Sequence, residues 1–251
     1  MRYLVASLER TLSQLFDPAF LRVFLLGMLT TIVAVIVTFF LVILLKDEVP
    51  YLNFDWDWLN SLFEWVFGLV FFWLAGIFFP PISTIFVSIF LDDVVDAVEY
   101  RYYPERKAGK RLGMGHLTYL AVRLAVLIIV LNILVIPLYI AFFWMPLVPL
   151  LIFYLLNGYL LGWGYYEMVA VRHLGIREAG YHRRAIRGYV LLSGLLMTVL
   201  FTIPIVNLAA PILSVAIICH IFHLTLRART AGGAAAPEFS ADRVTPKTDI
   251  E

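Results

Sequence analysis

The strongest constraint on this chain is where its charges are missing. Four stretches contain no Lys, Arg, Asp or Glu: Val23 to Leu45, Trp65 to Leu91, Leu124 to Tyr166 and Gly188 to Leu226, of 23, 27, 43 and 39 residues. An ordinary soluble domain is about half apolar, whereas 62% of this chain is hydrophobic, more than one soluble core can hide. These runs belong in a bilayer, whose hydrocarbon layer of roughly 30 Å takes about 20 helical residues per crossing. The 13 Tyr and 6 Trp suit this placement, because amphipathic rings collect at the headgroup level.

Length sorts the four runs. At 1.5 Å per residue the first two span about 34 and 40 Å, one crossing each, and predict transmembrane helices over 20–46 and 58–103. The second is expected to kink at Pro80-Pro81, since proline removes a ladder bond and clashes with the preceding turn. It then runs without a break into "LDDVVDAVEYRYYPER". The last two runs, about 65 and 58 Å, are too long for one crossing and marginal for two. Prolines sit near their middles: Pro137, Pro146 and Pro149 in one, Pro204 and Pro211 in the other. Length and prolines together favour re-entrant hairpins over 115–172 and 186–229. Six full crossings give the same sidedness, and charge does not separate the two arrangements.

In "FTIPIVNLAAPIL" (201–213) the turn chemistry is explicit. Pro204 stops the inward helix, Asn207 can hydrogen-bond turn backbone that water does not reach, and Pro211 fits the first turn of the returning helix.

Charge sets the orientation. Lys46 to Asp57 carries one basic and four acidic residues, with Glu64 beyond; Arg101 to Arg111 and Arg172 to Arg187 carry five basic residues each, and Arg227 and Arg229 follow the last run. The bias of Lys and Arg toward the cytoplasm places those basic clusters, and the N-terminus, on that side. Tyr3, Leu4, Leu8, Leu12, Leu15 and Phe16 fall near helical spacing, which predicts an amphipathic interfacial helix over 2–16. Between the hairpins, the basic "VRHLGIREAGYHRRAIRG", interrupted by Gly175 and Gly180, suggests a short interfacial helix. The small, polar tail at 230–251 is expected to be disordered. The fold class is an all-α integral membrane protein with one helical domain over 1–229.

Few residues promise chemistry. Asp92, Asp96 and Glu99 are spaced i, i+4, i+7 and share a helix face. They form either a charged vestibule, paired with Arg101, Arg123 or Arg172, or a solvated face on a helix leaving the bilayer. Asp17 is suited to an N-cap, Pro18 to the first helical position, and Arg22 lies about one turn in. That arrangement makes an anion site from free N–H groups and a guanidinium, or a snorkelling positive anchor.

His220 and His223 could chelate a metal from one helical face. No third ligand is in clear sight, because Cys219 lies about 100° from His220. The single cysteine excludes an intramolecular disulfide and fits a small buried hydrophobe. No metal or cofactor is therefore expected, and no nucleic-acid partner. G-x-x-x-x-G-K-[ST], G-x-S-x-G and H-E-x-x-H elements are absent, which argues against ATP hydrolysis through a P-loop and against an enzyme.

Two long crossings, a proline-containing second helix leading into "FLDDVVDAVE", two proline-turned hairpins and "IPIVNLAAP" at 203–211 resemble the CysZ sulfate permeases and the wider etoposide-induced-protein-like membrane family. The resemblance covers residues 5 to 229. It implies a multi-pass protein of the bacterial inner membrane, with two long transmembrane helices and two hemi-penetrating hairpins, assembled in the lipid bilayer as a homo-oligomer. It also implies import of sulfate or a related oxyanion for cysteine synthesis without an ATPase partner.

The family's anion motif, Gly-Leu-Arg at the start of the first long helix, falls on Phe20, Leu21 and Arg22. Phe20 replaces the glycine, and Val23 stands where a second arginine is common. The expectation is an anion permease or channel in which Arg22 selects the anion. Asp92, Asp96, Glu99, Arg101 and Arg123 are expected to line or gate the path, since ionisable groups near a bilayer are costly unless solvated or paired. A non-transporting membrane scaffold is the alternative. A metal-dependent membrane enzyme would rest on His220 and His223 alone.

Overall fold

The computed structural model describes residues 2–14, 16–45, 56–105 and 113–231. The acidic connection at 46–55, the basic stretch at 106–112 and the tail from 232 onward lie outside the described residues. All regular structure among the described residues is helical: α1 Arg2–Ser13, α2 Pro18–Leu45, α3 Asp57–Ile89, α4 Leu91–Tyr102, α5 Met114–Ala141, α6 Leu147–Ala185, α7 Arg187–Thr202, α8 Pro204–Asn207 and α9 Ala210–Ala231. Four stretches within them, Pro18–Leu41, Thr118–Ala141, Leu147–Ala185 and Ala210–Thr230, are long and apolar enough to cross a membrane. The chain is a multi-pass helical membrane protein.

The spans differ in what covers them. None of the Thr118–Ala141 window is buried within the protein, while 83% of Ala210–Thr230 is. α9 is therefore the central helix, packed by α1, α4, α6 and α7. α5 touches mainly α6 and turns residues such as Val126, Ile133 and Ile140 outward. Surfaces of that kind are stable only where lipid or another apolar surface replaces water.

The second long helix does not run unbroken from 58 to 103. α3 continues through positions 80 and 81, and the chain turns at Phe90 (φ −100°, ψ 5°) before α4 begins. The break lets α4 leave the line of α3 and lay Leu91, Val94, Val95 and Val98 into the core. The uncharged run ends one residue later, at Leu91, and Asp92 and Asp93 open the first turn of α4. With no proline or glycine at the junction, the sequence shows a change of polarity and no turn signal.

The two hairpins are not alike. In the first, α5 has 28 residues, about 42 Å of helix, enough for a full crossing. The uncharged run begins at Leu124, but the helix starts at Met114, so Arg123 lies inside it, about a third of the way along. The turn at 142–146 places Pro146 at the start of α6 and leaves Pro137 inside α5. In the second hairpin α7 has only 16 residues, about 24 Å, less than a hydrocarbon core.

α6 and α7 meet along a seam of small residues. Gly158 and Gly162 on α6, a Gly-x-x-x-Gly pair, face Gly194 on α7 and the carbonyl of Val190 with no room for a Cβ. Such spacing lets two helix backbones approach closely where side chains would hold them apart. α6 is interrupted at Gly175, whose φ of 75° and ψ of 168° suit glycine. The basic segment after it, up to Ala185, forms its own short helical piece.

α1 packs on α9 with an unexpected face. Ser7 and Thr11 are buried, followed by Gln14, while Val5, Leu12 and Phe16 are exposed. The polar stripe at i, i+4, i+7 points into the bundle. Of its apolar residues Val5 and Leu12 face outward, whereas Tyr3, Leu4 and Leu8 are half-buried, with Tyr3 packed edge-on against Tyr189.

Candidate functional site

The densest concentration of buried polar groups lies where α4, the end of α6 before Gly175, and the C-terminal half of α9 converge. Two neighbouring residues of α6, Arg172 and His173, supply partners for the acidic face. Arg172 is buried and ion-paired with Asp96, and its Nη1 lies 3.6 Å from Asp92 Oδ1. His173 Nε2 lies 2.7 Å from Glu99 Oε1, and His223 Nε2 from α9 lies 3.2 Å from the same oxygen. The i, i+4, i+7 face of α4 thus meets an Arg or His side chain at each position, and only Glu99 of the three carboxylates is buried.

Glu99 is only 4% exposed. Burial by itself would raise its pKa, but hydrogen bonds from His173 and His223, with the charge those rings carry, outweigh that effect and hold the carboxyl down at about 2. Its second oxygen, Oε2, is buried without a hydrogen-bond partner. The other face of His223 stacks on the Tyr103 ring at 4.2 Å. Tyr103 Oη is 2.9 Å from His220 Nδ1 and accepts from Arg10 (3.2 Å), and His220 Nε2 reaches Gln14 Oε1 at 3.4 Å. A polar chain therefore crosses the core from α1 to α6.

The expected pore charges fall into three places. Asp92, Asp96 and Glu99 join this cluster. Arg101, on the outward side of α4, pairs instead with Asp17, the residue preceding α2. Arg123 on α5 lies 3.3 Å from Glu167 on α6 and sits over the Trp163 ring. Arg172, His173 and His223 supply the cluster's partners for the three carboxylates. Their signal in sequence is the placement of cationic residues directly beside apolar runs, where an ionisable group needs a partner.

Phe20, Leu21 and Arg22 point different ways. Phe20 is buried at 3% and Val23 at 4%, both in the core, whereas Leu21 and Arg22 are exposed. The two departures from the family motif therefore occupy core-facing positions of α2. Among the described residues, no carboxylate forms an ion pair with Arg22.

In the second hairpin's turn, Pro204 is the first residue of α8 after extended Ile203, and Pro211 lies in the first turn of α9. Asn207 closes α8 through its backbone N–H, which donates to Ile203 O at 2.7 Å. Its side-chain Oδ1 is buried without a partner, so the backbone and not this oxygen closes the turn.

Residues able to hold a metal also converge here. Ligand atoms of Glu99, Cys219 and His223 lie within 4.8 Å of one another, all buried. The geometry pairs His223 with Cys219, one helical turn earlier, while His220 is taken by Tyr103 and Gln14. Comparing Cys219 only with His220 misses this i, i+4 relation.

No curated protein and no solved structure matches the chain. Residues 7–211, from α1 into the first turn of α9, match the family described as Sulfate transporter CysZ/Etoposide-induced protein 2.4, so the chain belongs to the family that its acidic helix and "IPIVNLAAP" turn resemble.

Proposed function

We propose that this protein is a permease or channel for sulfate or a closely related oxyanion in a bacterial inner membrane, supplying sulfate for cysteine synthesis without hydrolysing ATP. The family's description supports the substrate. The observation that carries the mechanism is the asymmetry of the Arg172 pairs. Arg172 has a side chain only 4% exposed, while its partners Asp92 and Asp96 are 51% and 36% exposed. The guanidinium is fixed in the protein, whereas the carboxylates reach toward solvent and can exchange.

A guanidinium binds carboxylate and sulfate through the same fork of N–H donors. Asp96 thus acts as an internal surrogate for the anion. An arriving oxyanion displaces it, takes the Arg172 donors and moves on when Asp96 returns. Nε and Nη1 of Arg172 make no hydrogen bond in the resting arrangement and offer further donors. Arg22, exposed near the start of α2, collects the anion before this exchange, aided by the partial positive charge of the helix N-terminus.

The test is uptake of radiolabelled sulfate by proteoliposomes containing the purified chain. Flux above protein-free vesicles, abolished by Arg172→Gln in a variant that retains its fold, is the expected result. Flux unchanged by Arg172→Gln removes the exchange mechanism. No flux for sulfate, selenate, sulfite or phosphate, together with stable co-purification of one partner protein, supports the scaffold reading instead.

A further inference from the structure

The geometry points to a divalent transition-metal site, of the zinc class, formed by Glu99, Cys219 and His223. Nothing in the transport reading requires it, and Cys219 and His223 lie beyond the residues that match the family. Three features carry the inference. The donor set of carboxylate, thiolate and imidazole is the kind that takes zinc and similar first-row ions. All three ligand atoms lie within 4.8 Å of one another, and His223 Nε2 is already 3.2 Å from Glu99. In a tetrahedral site with bonds of about 2.0–2.3 Å, ligand atoms stand roughly 3.3–3.8 Å apart, so small side-chain adjustments suffice.

The third feature is the unpartnered oxygen. Glu99 Oε1 accepts from His173, yet Oε2 is buried with no hydrogen bond, an arrangement that leaves a charged atom unsatisfied inside the protein. An ion bound to Oε2 satisfies it. With Glu99 and the Cys219 thiolate as anions and His223 neutral, a divalent ion makes the buried group electrically neutral, which removes most of the cost of burying it.

His173 is then a positioning residue. It donates to the ligand carboxylate from the outer shell, as partners of metal ligands commonly do. Cys219 and His223 are one turn apart on α9, and Glu99 comes from α4, so the ion joins the central helix to the acidic one.

The experiment uses the full chain, purified in detergent, stripped with chelator and titrated with Co²⁺, with Zn²⁺ in parallel. We expect one ion per chain, a thiolate-to-cobalt charge-transfer absorption, and a higher melting temperature with Zn²⁺. Cys219→Ser should lose the absorption. His173→Ala should keep it while weakening affinity roughly 10–100-fold. Less than one bound ion in the native chain, or Co²⁺ bound without the thiolate absorption, overturns the assignment. Both readouts are made on the native chain, so the test does not depend on any variant folding and is independent of sulfate flux.

Discussion

A Cβ on Gly194 of α7 would lie 1.8 Å from the carbonyl oxygen of Gly158 on α6. The two arms that flank the basic Gly175 segment are therefore locked at backbone contact. This seam positions α6, and through α6 it positions Arg172 and His173 against α4.

Gly194→Ala should push α6 and α7 apart and destabilise the protein by about 1–3 kcal/mol or more, as overpacking does. The drop should appear as a lower melting temperature in detergent. Gly180→Ala, where an added methyl group would meet nothing within 4 Å, serves as the contrast. It should be neutral or stabilising by about 0.5–1 kcal/mol, because alanine suits a helix better than glycine.

Asp96→Asn removes the carboxylate proposed to compete for Arg172. Apparent sulfate affinity should rise roughly tenfold, the lower end of what a hydrogen bond to a charged group is worth. Flux against sulfate concentration measures this, and an affinity unchanged or lowered contradicts the exchange mechanism.

Restoring the family glycine should not improve binding. Phe20 is a core side chain, so Phe20→Gly should cost about 3–5 kcal/mol through the cavity it leaves, with no gain in sulfate affinity. Arg22→Ala should do the opposite, leaving the melting temperature nearly unchanged while raising the half-saturating sulfate concentration about tenfold.

Glu99 predicts an acid response in the chelator-treated chain. Its carboxyl is lowered from an ordinary 4.5 to about 2 in the folded state, so the folded protein releases this proton more readily than the unfolded chain. The stabilisation is fully present above about pH 4.5 and is lost as pH falls toward 2. Melting temperature measured across that interval should fall more steeply for the native chain than for Glu99→Gln. Parallel curves would show that Glu99 is not held by the two histidines.

Much of the architecture was legible because the bilayer imposes a length and a polarity on every segment that enters it. The uncharged runs, the prolines of the 203–211 turn and the break at Gly175 follow from local rules of hydropathy and backbone conformation. The α3–α4 break at Phe90 does not, since no proline or glycine marks it and the acidic pair Asp92-Asp93 that follows is as compatible with a continuous helix leaving the bilayer. What the sequence does not show is how Arg123, inside α5, is accommodated: its charge is matched by Glu167 from another helix.

Sequence alone determined that the chain is helical, enters the membrane and resembles the family it belongs to, because charge depletion and turn residues act locally. Only the tertiary structure decided which ionisable groups meet. Periodicity put Asp92, Asp96 and Glu99 on one face, but their partners, Arg172, His173 and His223, are 74 to 124 positions away. Helix spacing says nothing about contacts at that range. They depend on how closely the glycine seam and the polar stripe of α1 let the helices approach α9, and that is a property of packed surfaces.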